Sequence, residues 1–337
     1  MPLRPLRRTA AATVAGLLAA GTALTTIAFA TSAGAASRPA AAPAALANLR
    51  VAPYVDMGSW PTPNLTQIAQ QTGLRAYSLG FVTGAGCKAS WFNAYDPRQG
   101  WEKSDITSLR ALGGDVTVSF GGASGIELAQ GCGDATSLQR EYQAVVSAYG
   151  LKHIDLDIEG AAVADPASIA RRSQALAKLQ KANSGLKISL TLPVLPSGLT
   201  SDGLNVVRSA RDAGVNLEVV NVMAMDYYQS GDYGTFALQA AKNTEAQLKT
   251  LYPSKSSSAL WAMVGVTPML GQNDDGHLYN QAAAKKLVAD AKSRHYGRLA
   301  FWELTRDRNA CDGALYQCTN IPQKPYEFTG IFRGFTG

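Results

Sequence analysis

The sequence predicts an α/β fold in which eight strand–helix units close into a single-domain (β/α)8, or TIM, barrel. Three observations carry that expectation. Strand-like and helix-like segments alternate eight times along the chain. They occupy residues 49–337, enough for one such barrel, which typically needs about 250 residues. The fourth strand ends in a crowd of carboxylates, at the end of the strands where barrels carry their chemistry. A doubly wound open sheet is the alternative, but it seldom needs eight units.

The chain before the barrel reads differently. Met1 to about Ala35 is built like an export signal. Arg4, Arg7 and Arg8 form a basic start, an Ala-rich apolar stretch runs from Thr9 to Ala30, and Ala33-Gly34-Ala35 offers small residues for cleavage. That stretch is long enough to span a bilayer, so a membrane anchor is the competing reading. Its dilution with Ala, Gly and Thr, and the cleavage site behind it, favour removal. The expected product is secreted and extracellular, with no membrane segment after cleavage. Residues 36–48 are rich in Ala and Pro and read as a linker. The formal net charge of +6 falls to +3 once the three signal arginines are gone, and no basic run follows. Nucleic acid is therefore not an expected partner.

Within the barrel the first strand is expected over Arg50–Met57, followed by a helix opening near Asn64. The second strand is expected over Arg75–Phe81, with a helix from about Ser104, which can cap it. Asp115–Phe120 is the third, with a helix over Thr136–Tyr149; the fourth covers residues 151–160, with a helix opening after Asp165-Pro166. Lys187–Pro193 is the fifth, with a helix ending near Gly214, and Leu217–Met225 the sixth, with a helix over Phe236–Leu251. Ala259–Thr267 is the seventh, with a helix over Gln281–His295, and Arg298–Leu304 the eighth, with a short closing helix around Tyr326–Phe332.

Four cysteines remain, Cys87, Cys132, Cys311 and Cys318. In an exported chain an even count suggests disulfides, with three possible connectivities. Cys311 and Cys318 flank a short Gly-containing loop, so pairing them needs little chain closure and leaves Cys87 with Cys132. None has CxxC spacing and the histidines are scattered, which argues against zinc.

The fourth strand carries the chemistry. Asp155, Asp157 and Glu159 alternate with Ile154, Leu156 and Ile158, so the acids share one face and the aliphatics the other. Successive same-face positions lie roughly 6.5–7 Å apart. Repulsion and desolvation then raise at least one pKa and leave a protonated acid near neutral pH. A solvated face would be served as well by Lys, Thr or Ser, and a calcium or magnesium site is the other alternative. Other strand ends add polar and aromatic groups: Tyr54 and Asp56 on the first, Thr117 and Ser119 on the third, Met223 and Met225 before Asp226-Tyr227-Tyr228 on the sixth, Trp302 on the eighth. Trp60, Trp91 and Trp101 lie in or beside loops at the same end, as outer sugar-stacking positions or as packing. The Gly121–Gly125 loop lacks the spacing and lysine of a P-loop. Residues 273–277 read as a polar turn rather than a cation loop.

On these motifs the chain resembles glycoside hydrolase family 18, the chitinases and related endo-β-N-acetylglucosaminidases. The family's Asp-x-Asp-x-Glu core stands as Asp155-Leu-Asp157-Ile-Glu159, and its Ser-x-Gly-Gly motif as Ser119-Phe-Gly121-Gly122. Its Met-x-Tyr-Asp pattern stands as Met223-Ala-Met225-Asp226, with Met225 in place of tyrosine, and its last-strand tryptophan as Trp302. The variants are similar to a bacterial and archaeal branch.

The resemblance implies hydrolysis of chitin or N-acetylglucosamine oligosaccharides with help from the substrate's own acetamido group. Glu159 would be the acid and base, and Asp157 would orient the acetamido group. Asp155 would share a proton with Asp157, and Asp226 would help hold the acetamido group or the distorted sugar. Tyr54, Ser119, Gly122, Met223, Met225, Tyr227 and Trp302 would bind substrate, with Tyr227 able to stand in for the missing tyrosine. By alternation Asp226 faces away from Met223 and Met225, so a bulge or strand end must re-aim it. No small α+β insertion fits between the seventh and eighth strands, which implies a shallow cleft, open at both ends and suited to internal cuts. No cofactor or metal is implied, and the chain is expected to act as a monomer. An endo-β-N-acetylglucosaminidase or a non-catalytic chitin-binding protein are the alternatives.

Overall fold

The computed structural model describes residues 49–335. The expected signal and linker lie outside the described residues.

Eight strands form the barrel: β1 (Tyr54–Asp56), β2 (Ala76–Gly84), β3 (Asp115–Gly121), β4 (His153–Asp157), β5 (Lys187–Leu195), β6 (Leu217–Met223), β7 (Val264–Thr267) and β8 (Arg298–Leu299). They pair in chain order and every pair is parallel. The ring closes where Val51 bridges Leu299 in parallel. There Leu299 N–H donates to the Arg50 carbonyl at 2.7 Å and Ala52 N–H to the Leu299 carbonyl at 3.0 Å. Helices α1 (Leu65–Thr72), α2 (Lys103–Ala111), α3 (Ala135–Tyr149), α4 (Pro166–Ala182), α5 (Ser201–Asp212), α6 (Tyr233–Leu251), α7 (Gln281–Arg294) and α8 (Leu304–Asn309) follow the strands in turn, and α9 (Glu327–Phe332) closes the chain.

Local chemistry starts most of these helices. Asn64 accepts from Gln67 N–H, Asp134 from Thr136 and Ser137 N–H, Asp165 from Ala167 and Ser168 N–H, and Asn280 from Ala283 N–H. The expected cap at Ser104 is not one. Glu102 precedes α2 in a left-handed conformation with no side-chain cap bond. Asp105 instead reaches across to accept from Leu65 and Thr66 N–H, so α2 caps α1.

Several strand ends differ from expectation, three of them for a visible local reason. Residues Ser257–Trp261 form a helical turn, not the start of β7, because Ser256 Oγ accepts from Ala259 N–H and the Trp261 ring stacks on Tyr296 at 5.1 Å. Leu304 belongs to α8, because Glu303 takes Thr305 and Arg306 N–H at 2.9 Å each. β6 ends at Met223, two residues early.

Inside and outside of the barrel divide along β4 as alternation requires. Ile154, Leu156 and Ile158 are at most 1% exposed, in the main hydrophobic core. Burial of each such side chain contributes about 1.5–3 kcal/mol. Both disulfides, Cys87–Cys132 and Cys311–Cys318, are formed. Between β7 and α7 the chain makes only a two-stranded hairpin, Gly271–Gln272 with Leu278–Tyr279. Among the described residues no helix is long and apolar enough to cross a membrane.

Candidate active site

The acids of β4 enter the barrel at two levels. At the lower level Asp155, 1% exposed, is surrounded by hydroxyls from three other strands. Its Oδ2 accepts from Tyr54 OH at 2.8 Å and Ser119 Oγ at 2.7 Å; its Oδ1 accepts from Ser189 Oγ at 2.6 Å and Thr191 Oγ1 at 2.9 Å. Those donors are held in turn. Arg298 Nη1 donates to Ser189 Oγ at 2.8 Å, and Asn221 Nδ2 to Thr191 Oγ1 at 3.0 Å and Thr267 Oγ1 at 2.7 Å. A carboxylate with both oxygens taken by hydroxyl donors is well satisfied in a dry interior. Asp157 is not among its partners.

One step up the strand the pattern reverses. Asp157 is 5% exposed, yet its Oδ1 has no hydrogen-bond partner. Desolvation, the charges of Glu159 and Asp155, and a hydrogen bond given to Glu159 hold its carboxyl well above the usual range. Glu159 is raised too, by desolvation and by the charge of Asp226, although the bond from Asp157 works the other way. Both carboxyls are therefore biased toward the protonated form. Glu159 lies two residues beyond the β4 ladder, but its backbone is still extended (φ −139°, ψ −179°), so it stays on the face of Asp157.

Asp226 is re-aimed by the strand end. Met225 N–H turns back to the Met223 carbonyl at 2.9 Å, and Asp226 adopts φ +46°. Asn273, fully buried, fixes the turn: its Oδ1 accepts Asp226 N–H at 3.2 Å while its Nδ2 donates to the Met269 and Gly271 carbonyls. Asp274 N–H then donates to Asp226 Oδ1 at 2.7 Å. Desolvation and the charge of Asp274 push the Asp226 carboxyl up. The polar turn at 273–277 is therefore the clamp that orients Asp226. Asp275 completes it by accepting from Tyr228 N–H, His277 N–H and Tyr233 OH. Among the described residues no group of His, Cys, Asp and Glu could hold a metal ion.

Asp157, Glu159 and Asp226 line one cavity of about 290 Å³ with Tyr54, Met223, Met225 and Trp302. The Trp302 ring is stacked on Phe81, centroids 5.6 Å apart and 18° from parallel, and both rings contact Tyr54. Glu303, the next residue in the chain, is pushed up to about 7 by desolvation while it caps α8.

Three expected ligands do not reach the cavity. Ser119 is buried below it, on Asp155. Gly122 serves the backbone: at φ +85° its N–H donates to the Asp157 carbonyl at 3.1 Å, and a Cβ there would lie 2.6 Å from the Phe81 ring. Tyr227 sits between two left-handed residues, Asp226 and Tyr228, which turn it inward. Its ring packs on Tyr233 and Phe236 and its hydroxyl is buried, so it cannot replace the absent tyrosine. Of the three tryptophans weighed as outer positions, Trp91 is buried and donates to Tyr149 OH at 2.8 Å, Trp101 stacks on Tyr95 at 5.0 Å, and only Trp60 is free, at 89% exposed.

No family model matches the chain. The catalytic domain of a hyperthermophilic chitinase from Pyrococcus furiosus superposes with a TM-score of 0.80 at 30% identity, covering 87% of this chain and 96% of that one. Mutants of active domain 2 of that organism's thermostable chitinase, complexed with chito-oligosaccharides, give the same TM-score at 29% identity. Among curated relatives, "Endochitinase 11" of Metarhizium anisopliae is 37% identical over 283 residues, 80% of this chain and 54% of its own length. "Probable bifunctional chitinase/lysozyme" of Escherichia coli is 37% identical over 306 residues, 85% of this chain and 34% of its own length. This chain thus spans about a third to a half of the curated relatives it matches.

The chain belongs to glycoside hydrolase family 18. Several groups in this family 18 cleft carry no motif. Phe81, Ala123, Thr191, Thr267, Met269, Asp274 and Arg306 line it, together with Leu315 and Tyr316 from the Cys311–Cys318 loop. Thr191 and Thr267 could have been found by alternation, since each is the last inward polar position of its strand. Arg306 could not: nothing in the sequence marks a helical arginine as fully buried with its Nη2 on the Leu270 and Gln272 carbonyls. Burial lowers it to about 10.

Proposed function

We propose that this chain is a secreted chitinase, acting as a monomer, that hydrolyses β-1,4 bonds between N-acetylglucosamine units with retention of configuration. Glu159 protonates the glycosidic oxygen as the bond from the anomeric carbon breaks. The acetamido oxygen of the same sugar attacks that carbon and forms an oxazolinium ring. Asp157 accepts the acetamido N–H on its free Oδ1 and balances the positive ring. Water then opens the ring as Glu159 takes its proton, which restores the acid. Asp155 is a positioning residue beneath Asp157. Asp226 holds the distorted sugar from the opposite wall, and Trp302 lies under its apolar face.

The observation that carries this reading is one cleft lined by Asp157, Glu159, Asp226 and Trp302, in which the buried Asp157 Oδ1 is unpartnered and desolvation raises both Asp157 and Glu159. Secretion is supported by two disulfides in a small enzyme. Internal cutting is supported by the hairpin that stands where a cleft-deepening insertion would sit. Soluble chitin oligomers, a high-mannose glycoprotein and peptidoglycan, digested side by side, test the substrate. The expected result is cleavage of chitin oligomers at internal bonds from the first time points. Glycan release alone would instead make the chain an endo-β-N-acetylglucosaminidase. Binding without turnover would make it a chitin-binding protein.

A further inference from the structure

The loop from Cys311 to Cys318 has no helix or strand, yet it is held along most of its length. Gln317 and Cys318 N–H both donate to the Ala314 carbonyl at 2.9 Å, and Asn309 Nδ2 donates to the Gln317 carbonyl at 3.1 Å. Asn320 brackets Gly313, accepting its N–H at 2.6 Å and donating to its carbonyl at 3.1 Å, while the same amide reaches Gln272 Oε1 at 2.9 Å. The following residue pair is pressed against the hairpin: Gln272 N–H donates to the Thr319 carbonyl at 2.8 Å, and a Cβ on Gly271 would lie 2.1 Å from that oxygen. The loop is therefore mounted on the same segment that clamps Asp226.

This loop presents Leu315 and Tyr316 to the cleft. Tyr316 is 65% exposed, and among the described residues no ring or hydrogen bond holds its side chain. A large ring kept in water on a fixed backbone is apolar surface waiting to be covered. Its backbone is already fixed, so binding would have to order the side chain alone. A pyranose offers the matching surface, a flat side of axial C–H groups with its hydroxyls at the edges.

We propose that Leu315 and Tyr316 form a second saccharide-binding wall of this cleft, a subsite for a sugar ring apart from the one over Trp302, preorganised by the Cys311–Cys318 disulfide. That the sugar is N-acetylglucosamine rests on the chitinase reading above.

The test is calorimetric titration of short and long chito-oligosaccharides into the full chain carrying Glu159→Gln, so that binding is read without turnover. Adding Tyr316→Ala should weaken binding of the longer oligomers by about 2–10-fold, the range of a stacking contact, while Tyr316→Trp keeps it. Replacing both Cys311 and Cys318 by Ser should weaken binding in the same direction, and Tyr316→Ala should then add little more, because the loose loop no longer fixes the ring. Equal affinity with and without the Tyr316 ring, at every oligomer length, removes this wall and leaves the chitinase reading standing. Full affinity in the double cysteine variant removes the preorganisation. No binding of any chito-oligosaccharide by the Glu159→Gln protein contradicts both readings at once.

Discussion

Asp155 and Asp157 belong to one strand and point into one barrel, yet the two levels they occupy treat charge in opposite ways. At the floor, Asp155 has four hydroxyl donors, and those hydroxyls are tied to Arg298, Asn221 and Thr267. At the mouth, Asp157 keeps a buried oxygen unpartnered, and Asp157, Glu159 and Asp226 raise one another or are raised by burial. A carboxyl oxygen left unpartnered where it lines a cleft, beside carboxyls raised by burial, marks a candidate contact for a ligand. The floor ties strands together through Asp155; the mouth gathers carboxyls whose ionisation burial opposes.

The largest test of that division is Glu159→Gln. The side chain keeps its shape but loses its transferable proton, and turnover of a chitin oligomer should fall by about 10²–10⁴-fold. Oligomer binding, read by calorimetry, should survive.

Asp157→Asn separates the two levels more sharply. Activity should drop severely, because the negative charge facing the oxazolinium ring is gone. Stability should move the other way. The folded pKa of Asp157 is raised, so its contribution is full below the ordinary carboxylate range and is lost as pH rises through the folded value. Asn is neutral throughout and escapes that loss. Its Tm should exceed that of the parent at pH 8 and match it near pH 3, at about 2–4 °C per kcal/mol. A variant less stable at pH 8 would show that the mouth is not electrostatically strained.

Asp155→Asn should do the reverse. It brings an amide donor among four hydroxyl donors, and the expected cost is about 1–3 kcal/mol of stability, read by denaturant unfolding. Activity should fall less than in Asp157→Asn, since Asp155 acts through its neighbours.

Much of this was legible in the sequence, for reasons that locate the rest. The eight units, their parallel order and the acids of the fourth strand follow from periodicity and from caps such as Asn64 and Asp165, all of which are local. Both disulfides follow from spacing in the same way. What was not legible depends on distant partners. Leu304 looks like strand until Glu303 takes its helix's first N–H groups. Tyr227 looks like a ligand until two left-handed neighbours turn it into the core. Ser119 belongs to a family motif, but its hydroxyl serves Asp155, not the cleft. Asp155 was expected to share a proton with Asp157, but hydroxyls from three other strands already occupy both of its carboxyl oxygens.

The smallest effect concerns Asp226→Asn. The charge of Asp226 raises Glu159, so removing it should lower the Glu159 pKa. Glu159 must be protonated to act, and the alkaline limb of kcat/KM should move toward lower pH, by less than about one unit at this partly solvated site. An unmoved or alkaline-shifted limb would separate the two carboxyls.

In the proposed reaction the substrate's own acetamido oxygen attacks, with Asp157 and Glu159 as its partners at the mouth. Proton NMR of the first products from a chitin oligomer reads it directly. The new reducing end should appear as the β-anomer and only later mutarotate. An α-anomer at the earliest time points would mean that water displaces the leaving group in one step and that the acetamido group takes no part.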